Sequence, residues 1–191
     1  MSKNDQYYIS KILDGDENKY STLINKYKDL IFTLCYRITK DKENAEEAAQ
    51  DTFIKAYKSL ASFKGDSKFS SWLYRIAYNT SLDMVKKNKR QILQNNNIEI
   101  NDIEDMDSTV DILEKTEFTE QIKNSIKKLN NEEAFILTLY YYEELSIKEI
   151  AEITNLKANN IKVKIHRSRQ KLMLILKKEL PKEIIERYEN R

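Results

Sequence analysis

The sequence predicts an all-α protein of two small helical domains joined by an acidic flexible linker, the C-terminal one a helix-turn-helix, and three observations carry that reading. Helix breakers are nearly absent: 191 residues hold two glycines, Gly15 and Gly65, and one proline, Pro181, where average usage is about 7% Gly and about 5% Pro. Apolar residues recur in steps of three and four through most of the chain. Between the two periodic halves lies a polar, acidic stretch with no period.

The same composition excludes chemistry. Loops that cradle phosphate need several glycines close together so that backbone can approach the anion, and neither a P-loop nor a dinucleotide fingerprint can be written here. One cysteine, Cys35, and one histidine, His166, rule out a Cys/His zinc site and a disulfide within the chain. A Ser-His-Asp triad would have to pass through His166 in a lysine-rich segment, so the sequence predicts no enzymatic activity of its own, no cofactor and no metal. The opening MSKNDQYYISK lacks the apolar core of a signal peptide, and no apolar run approaches the roughly 18 residues of a spanning helix. A soluble, cytoplasmic protein without direct membrane insertion is expected.

Taken in order, the first strong element is a helix with its stripe at Tyr20, Leu23, Ile24, Tyr27, Leu30, Ile31, Leu34, Cys35 and Ile38, which makes Cys35 plain core. Asp41 is suited to cap a second helix whose inward positions are Ala45, Ala48, Ala49, Thr52, Ala56 and Leu60. Its small residues permit close packing. The segment SFKGDSKFS, Ser62 to Ser70, reads as a loop, with Ser70 or Ser71 capping a third helix through SWLYRIAYNTSLDMVKK. Trp72, Leu73, Ile76, Ala77, Thr80 and Met84 form that helix's inner face, and Arg75, Asn79 and Lys86 its outer one.

Domain boundaries follow at 1–90, 91–112 and 113–191. Beyond the linker, Leu113 to Leu129 is moderately amphipathic and Glu132 to Tyr142 strongly apolar. Ser146 with Glu149 three residues later forms a capping box, stapled by Leu145 and Ile150. That short helix ends at Thr154-Asn155, Asn155 tolerating left-handed backbone, and the next begins near Ala158. Ile150, Ala151, Leu156, Ile161 and Ile165 sit where a helix-turn-helix buries its contacts. Lys162, Val163, His166 and Arg167 are left outward toward base edges, and Lys164 and Arg169 toward phosphates.

Charge supports this partition. Residues 157–178 carry eight lysines or arginines and no acid, while residues 99–120 carry nine acids and one lysine. The net charge of +2 is therefore a sum of opposed blocks. Smaller blocks are basic at Lys86, Lys87, Lys89 and Arg90, and acidic at Asp41, Glu43, Glu46, Glu47 and Asp51.

With these motifs in place, the chain resembles the extracytoplasmic-function, group-four sigma factors of bacterial RNA polymerase over about residues 15–175. NAEEAAQDTFIKAYKSLASF resembles the family's polymerase-binding helix, FSSWLYRIAYNTSLDMVKK its helix for the minus-10 element, and LSIKEIAEITNLKANNIKVKIHRSRQKL its helix-turn-helix for the minus-35 element. The resemblance implies core RNA polymerase and promoter DNA as partners. It places Glu47, Gln50, Asp51, Phe53, Ile54 and Tyr57 on the polymerase's largest subunit. Minus-10 DNA would meet Phe63, Lys64, Asp66, Ser67, Lys68, Phe69, Arg75, Asn79, Lys86 and Lys87. Minus-35 duplex would meet Asn160, Lys162, Val163, Lys164, His166, Arg167 and Arg169. Many relatives are held by a cognate, often membrane-anchored anti-sigma factor, so one is expected here. The acidic linker either enters the polymerase's RNA exit path or is a tether. Departures are Tyr57 for the usual tryptophan, Asn155 for a frequent glycine, Lys157 for a capping serine and Val163 for a small polar residue. The other class of reading is a stand-alone helix-turn-helix regulator that binds duplex without polymerase.

Overall fold

The computed structural model describes residues 3–94, 122 and 124–179. Helix α1 (Lys3–Leu13) was not expected from the sequence. It is tied down by Asp5, which accepts from the buried Tyr27 hydroxyl at 2.8 Å and pairs with Lys26. Gly15 at φ +103° turns the chain, a conformation open to glycine at no steric cost. α2 (Tyr20–Thr39) then buries most of the expected stripe, with Ile31, Leu34 and Cys35 wholly inaccessible and Ile24 and Leu30 half-buried.

Lys40 takes left-handed backbone at φ 58° to end α2, and Asp41 starts α3 (Lys42–Ser59) by accepting the Asn44 amide at 2.8 Å. Ala45, Ala48 and Ala56 are fully buried, so α3 lies close on α2 and on α4 (Phe69–Gln94). Two boundaries differ from expectation. α4 begins at Phe69, the Trp72 amide bonding back to the Lys68 carbonyl, so Ser70 and Ser71 lie inside its first turn instead of capping it. It also runs on through 91–94, which the sequence assigned to the linker; the rest of that linker lies outside the described residues.

In the C-terminal half, residues 124–127 are helical, and Asn130 caps α5 (Asn131–Tyr141) by accepting the Glu133 amide at 2.8 Å. The capping box is present at α6 (Ile147–Thr154): the Ser146 amide donates to Glu149 at 2.9 Å and the Glu149 amide to the Ser146 hydroxyl at 3.2 Å. Asn155 takes φ 57°, and α7 (Ala158–Glu179) follows. Ile150, Ile153, Ile161 and Ile165 fill the angle between α6 and α7.

Hydrogen bonds from the Ser146 backbone and hydroxyl, reinforced by Lys68, hold the Glu149 carboxyl below its ordinary range. A depressed folded value makes the box's contribution present above the unfolded carboxylate's value and lost as pH falls through the lower folded one. Ser146→Ala should lower unfolding stability by about 1 kcal/mol. Urea denaturation at neutral pH checks this, and the difference from wild type should shrink on acidification.

The two halves are docked on one another. α5 packs on α2 and α6 packs on α4, so one hydrophobic cluster runs through both. Its cross-links are the Tyr78 ring 4.9 Å from Phe135, the Tyr74 hydroxyl donating to Glu143 at 2.6 Å and the Tyr78 hydroxyl donating to Glu132 at 3.1 Å. Asn131 donates to the Ile38 carbonyl and Lys40 to that of Lys127.

Candidate protein and nucleic-acid interfaces

Three surfaces collect the residues singled out in the sequence. On α3, Glu47, Gln50, Ile54 and Tyr57 are exposed and Asp51 and Phe53 half-buried, all on the side away from the alanine seam. Ile54 is 50% and Tyr57 38% exposed, large apolar area for water to meet at a helix surface. Beside them a groove of about 550 Å³ opens between the start of α2 and the end of α3, lined by Tyr20, Ile24, Phe53, Ile54 and Tyr57. The Tyr20 hydroxyl donates to the Phe53 carbonyl at 2.6 Å, which fixes the groove wall. Tyr20 and Ile24 looked like ordinary stripe positions, and their share in the groove was not legible. The groove's charged lining is Glu17 and Lys58, and Glu47 and Asp51 lie further along α3; an apolar trough with acids on the same helix is suited to a helical protein partner with a basic edge.

The second surface is the loop before α4. Phe63 packs on Trp72 at 5.2 Å and on Phe69 at 5.7 Å, making an aromatic clamp that closes the loop. Phe69 is 3% exposed, so of the ten residues assigned to the minus-10 element it is the one the structure places in the core. Lys64 and Asp66 are exposed and Ser67 half-buried. Arg75, Asn79, Lys86 and Lys87 are exposed along α4, Lys86 lying 3.8 Å from Asp83. Under the loop is a cleft of about 140 Å³ with Asp5, Gln6, Tyr27, Lys68 and Ser70 at its edge. Burial and the Asp5 carboxylate push the Tyr27 hydroxyl well above its ordinary range, so it stays a donor. Asp5 and Gln6 were missed because α1 itself was missed.

The third surface is α7. Asn160, Lys162, Val163, His166, Arg167 and Arg169 are all exposed, Val163 by 43%. The buried Ile161, Ile165 and Ser168 hold the opposite face against α5 and α6. Lys164 differs from its neighbours. It is half-buried and bound to Glu132 of α5, as Lys171 is bound to Glu133 at 2.6 Å. Its ammonium is committed to fixing the helix, which corrects the expectation that it points to phosphate.

No cluster of metal-ligating side chains occurs among the described residues, and no described helix is long and apolar enough to cross a membrane.

Comparison with known proteins fits this arrangement. The family model described as Sigma-70 region 2 matches residues 23–91, and that described as Sigma-70, region 4 matches residues 119–172. The chain is 34% identical to the ECF RNA polymerase sigma factor SigW of Bacillus subtilis, over 86% of this chain and 92% of the relative. It is 30% identical to the RNA polymerase sigma-H factor of Pseudomonas aeruginosa, over 88% and 91%. Among solved structures, the sigma factor RpoE of Bartonella quintana, in complex with the anti-sigma factor NepR, superposes with a TM-score of 0.68 at 20% identity, covering 83% of this chain and 96% of that one. CnrH in complex with the cytosolic domain of CnrY gives 0.64 at 18% identity, covering 92% and 99%. Both share the fold.

Proposed function

From the premise that the chain belongs to the sigma-70 family, in its extracytoplasmic-function branch, we propose how its surfaces divide the work of promoter-specific initiation. The α3 face and its groove bind core RNA polymerase. The loop of residues 62–70 with the outer face of α4 captures the melted minus-10 strand, and α7 reads the minus-35 duplex. The observation that carries this reading is the separation of chemistry: an acidic and apolar face on α3, a mainly basic outer face on α4 in which Asp83 is the acid beside Lys86, and on α7 an outward face of Lys162, His166, Arg167 and Arg169 without an acid among them. Acids beside an apolar trough repel DNA and suit a protein.

Melting needs a holder for an extruded base and the strand beside it. The cleft under the loop, with Ser70, Gln6 and the Lys68 ammonium at its rim, supports that role. Lys86, Lys87 and Arg75 then neutralise phosphates along α4. An anti-sigma factor competing for the α3 groove is the natural inhibitor in this reading; a protein of the same fold, RpoE of Bartonella quintana, is solved in complex with the anti-sigma factor NepR.

On α7, Lys162→Ala or Arg167→Ala should cost about 1–3 kcal/mol of promoter binding, relaxing specificity where a base contact is lost and weakening binding uniformly where only phosphate is lost. Val163→Ser should shift the preferred upstream sequence with little change in total affinity, because a methyl-rich side chain suits the thymine methyl group. Selection from randomised upstream elements with the polymerase-bound protein checks both. An identical consensus for all variants would show that α7 is not the reader.

The function itself is tested by copurification with core polymerase followed by transcription from a promoter library. Salt-resistant, sequence-specific duplex binding by the free chain, with no association to polymerase, would mark a stand-alone regulator instead.

A further inference from the structure

Two consecutive acids in the first turn of α5 hold two lysines of α7. Glu132 takes the Lys164 ammonium, and Glu133 takes that of Lys171 at 2.6 Å. On an α-helix, positions 164 and 171 are about 10 Å apart along the axis and only about 20° apart around it. Both lysines therefore lie on one flank of α7, between the buried seam of Ile161, Ile165 and Ser168 and the edge that presents Asn160 and Arg167. On the other flank, Lys162 and Arg169 are exposed and have no ion pair among the described residues.

The seam by itself leaves α7 free to roll a little about its own axis. It is narrow, and Ser168 spends its hydroxyl proton on the Lys164 carbonyl of its own helix at 2.7 Å instead of on α5 or α6. The acids stand on a firmer support. Ala134, Phe135, Ile136 and Leu137, next to them in α5, are at most 1% exposed, and Asn130 caps that helix. Glu133 is itself only 7% exposed, and its Oε2 is buried with no partner among the described residues. A buried carboxylate held by one ammonium adds little stability. The Glu132–Lys164 pair, about one-third exposed on both sides, adds little either. What two pegs on one flank supply is an angle.

We infer that Glu132 and Glu133 are positioning residues for minus-35 recognition: through Lys164 and Lys171 they set the roll of α7, and so decide which of its outward side chains meet base edges. This rests on the reading of α7 as the minus-35 reader. With side chains reaching about 5–6 Å from the helix axis, a roll of about 20° carries a tip about 2 Å. Hydrogen-bond distances span only about 0.5 Å, so such a roll exchanges one base contact for another or for none. Both acids and both lysines belong to the C-terminal half, so the setting travels with it onto DNA.

Selection from randomised minus-35 elements by the whole chain bound to core polymerase tests this. Glu132→Gln with Glu133→Gln keeps the side-chain shapes and frees both lysines. It should lower the preference for the best element over its single-mismatch variants about tenfold, the worth of one well-made base contact. Affinity for core polymerase and helix content should not change. Exchanging the partners, Glu132→Lys with Lys164→Glu, should restore the preference that Glu132→Gln alone has lost. A folded double variant that binds every element more tightly at unchanged preference overturns the inference, because the freed lysines would then only have gained phosphate. Failure of the exchanged pair to restore the preference overturns it as well. Should the double variant not fold, the two single variants give the same reading. Lys162→Ala and Arg167→Ala are selected alongside: if they alter the preference and the acid variants do not, only the positioning role falls, and if neither set alters it, the assignment of α7 as the reader falls.

Discussion

Glu47→Lys combined with Asp51→Lys should weaken association with core RNA polymerase by about 3–5 kcal/mol, roughly two to four decades in Kd, if both carboxylates meet basic partners in the bound state. The two lie four residues apart on one face of α3, with Gln50 and Ile54 beside them, so the reversal turns the acidic part of that face basic. Among the described residues neither carboxylate has a hydrogen bond or ion pair that the fold depends on, Glu47 being exposed and Asp51 half-buried. Thermal stability should stay within about 0.5 kcal/mol of wild type. Equilibrium titration of labelled protein with core enzyme separates these quantities. A reduced association rate alone would place the acids at the rim of the contact, and unchanged affinity would remove α3 as the docking helix.

The largest loss of stability is expected from Phe135→Ala. Phe135 is 0% exposed at the centre of α5, and its ring lies 4.9 Å from Tyr78 of the opposite half. Truncating a buried phenylalanine costs about 3–5 kcal/mol through lost transfer energy and the cavity left behind. Against a total of about 5–15 kcal/mol for a domain, that is a large fraction, and it should lower Tm by about 10 °C. The apolar Leu174, 62% exposed on α7, supplies the control, since Leu174→Ala should change stability by less than about 0.5 kcal/mol. Calorimetry of both variants checks the pair; equal effects would mean that burial in α5 is not what holds this half together.

What the sequence made legible was whatever its periodicity and capping chemistry encode locally. The stripe from Tyr20 to Ile38 bounded α2 within one residue, and Ser146 with Glu149 located α6 because a capping box is written within four positions. α1 escaped notice because its fully buried apolar residues are Ile9 and Ile12, with Tyr8 half-buried beside them, and its anchor is a polar Asp5 whose partner Tyr27 lies 22 residues away. The docked halves escaped for the same reason. Tyr74–Glu143 and Tyr78–Glu132 join groups 69 and 54 residues apart, and each alone looks like an ordinary surface acid or an ambiguous aromatic. Lys164 shows the limit of charge patterning: its sign was legible in a basic helix, but its direction was set by Glu132 on another element. Phe69 likewise sits in a loop motif, and packing with Phe63 and Trp72 decides that it faces inward.

The burial of Cys35 has a consequence for how the chain meets oxidants. Its thiol is wholly inaccessible in the middle of α2, and burial pushes it up to about 11, so almost none is thiolate at neutral pH. The thiolate is the nucleophile that attacks peroxide oxygen or disulfide sulfur, so a buried thiol kept protonated is closed to sulfenic acid formation and mixed disulfides in the folded protein. With no second cysteine in the chain, no intramolecular disulfide can record redox state either. An oxidant therefore meets no accessible thiol on the folded protein, and Cys35 serves packing instead of redox signalling.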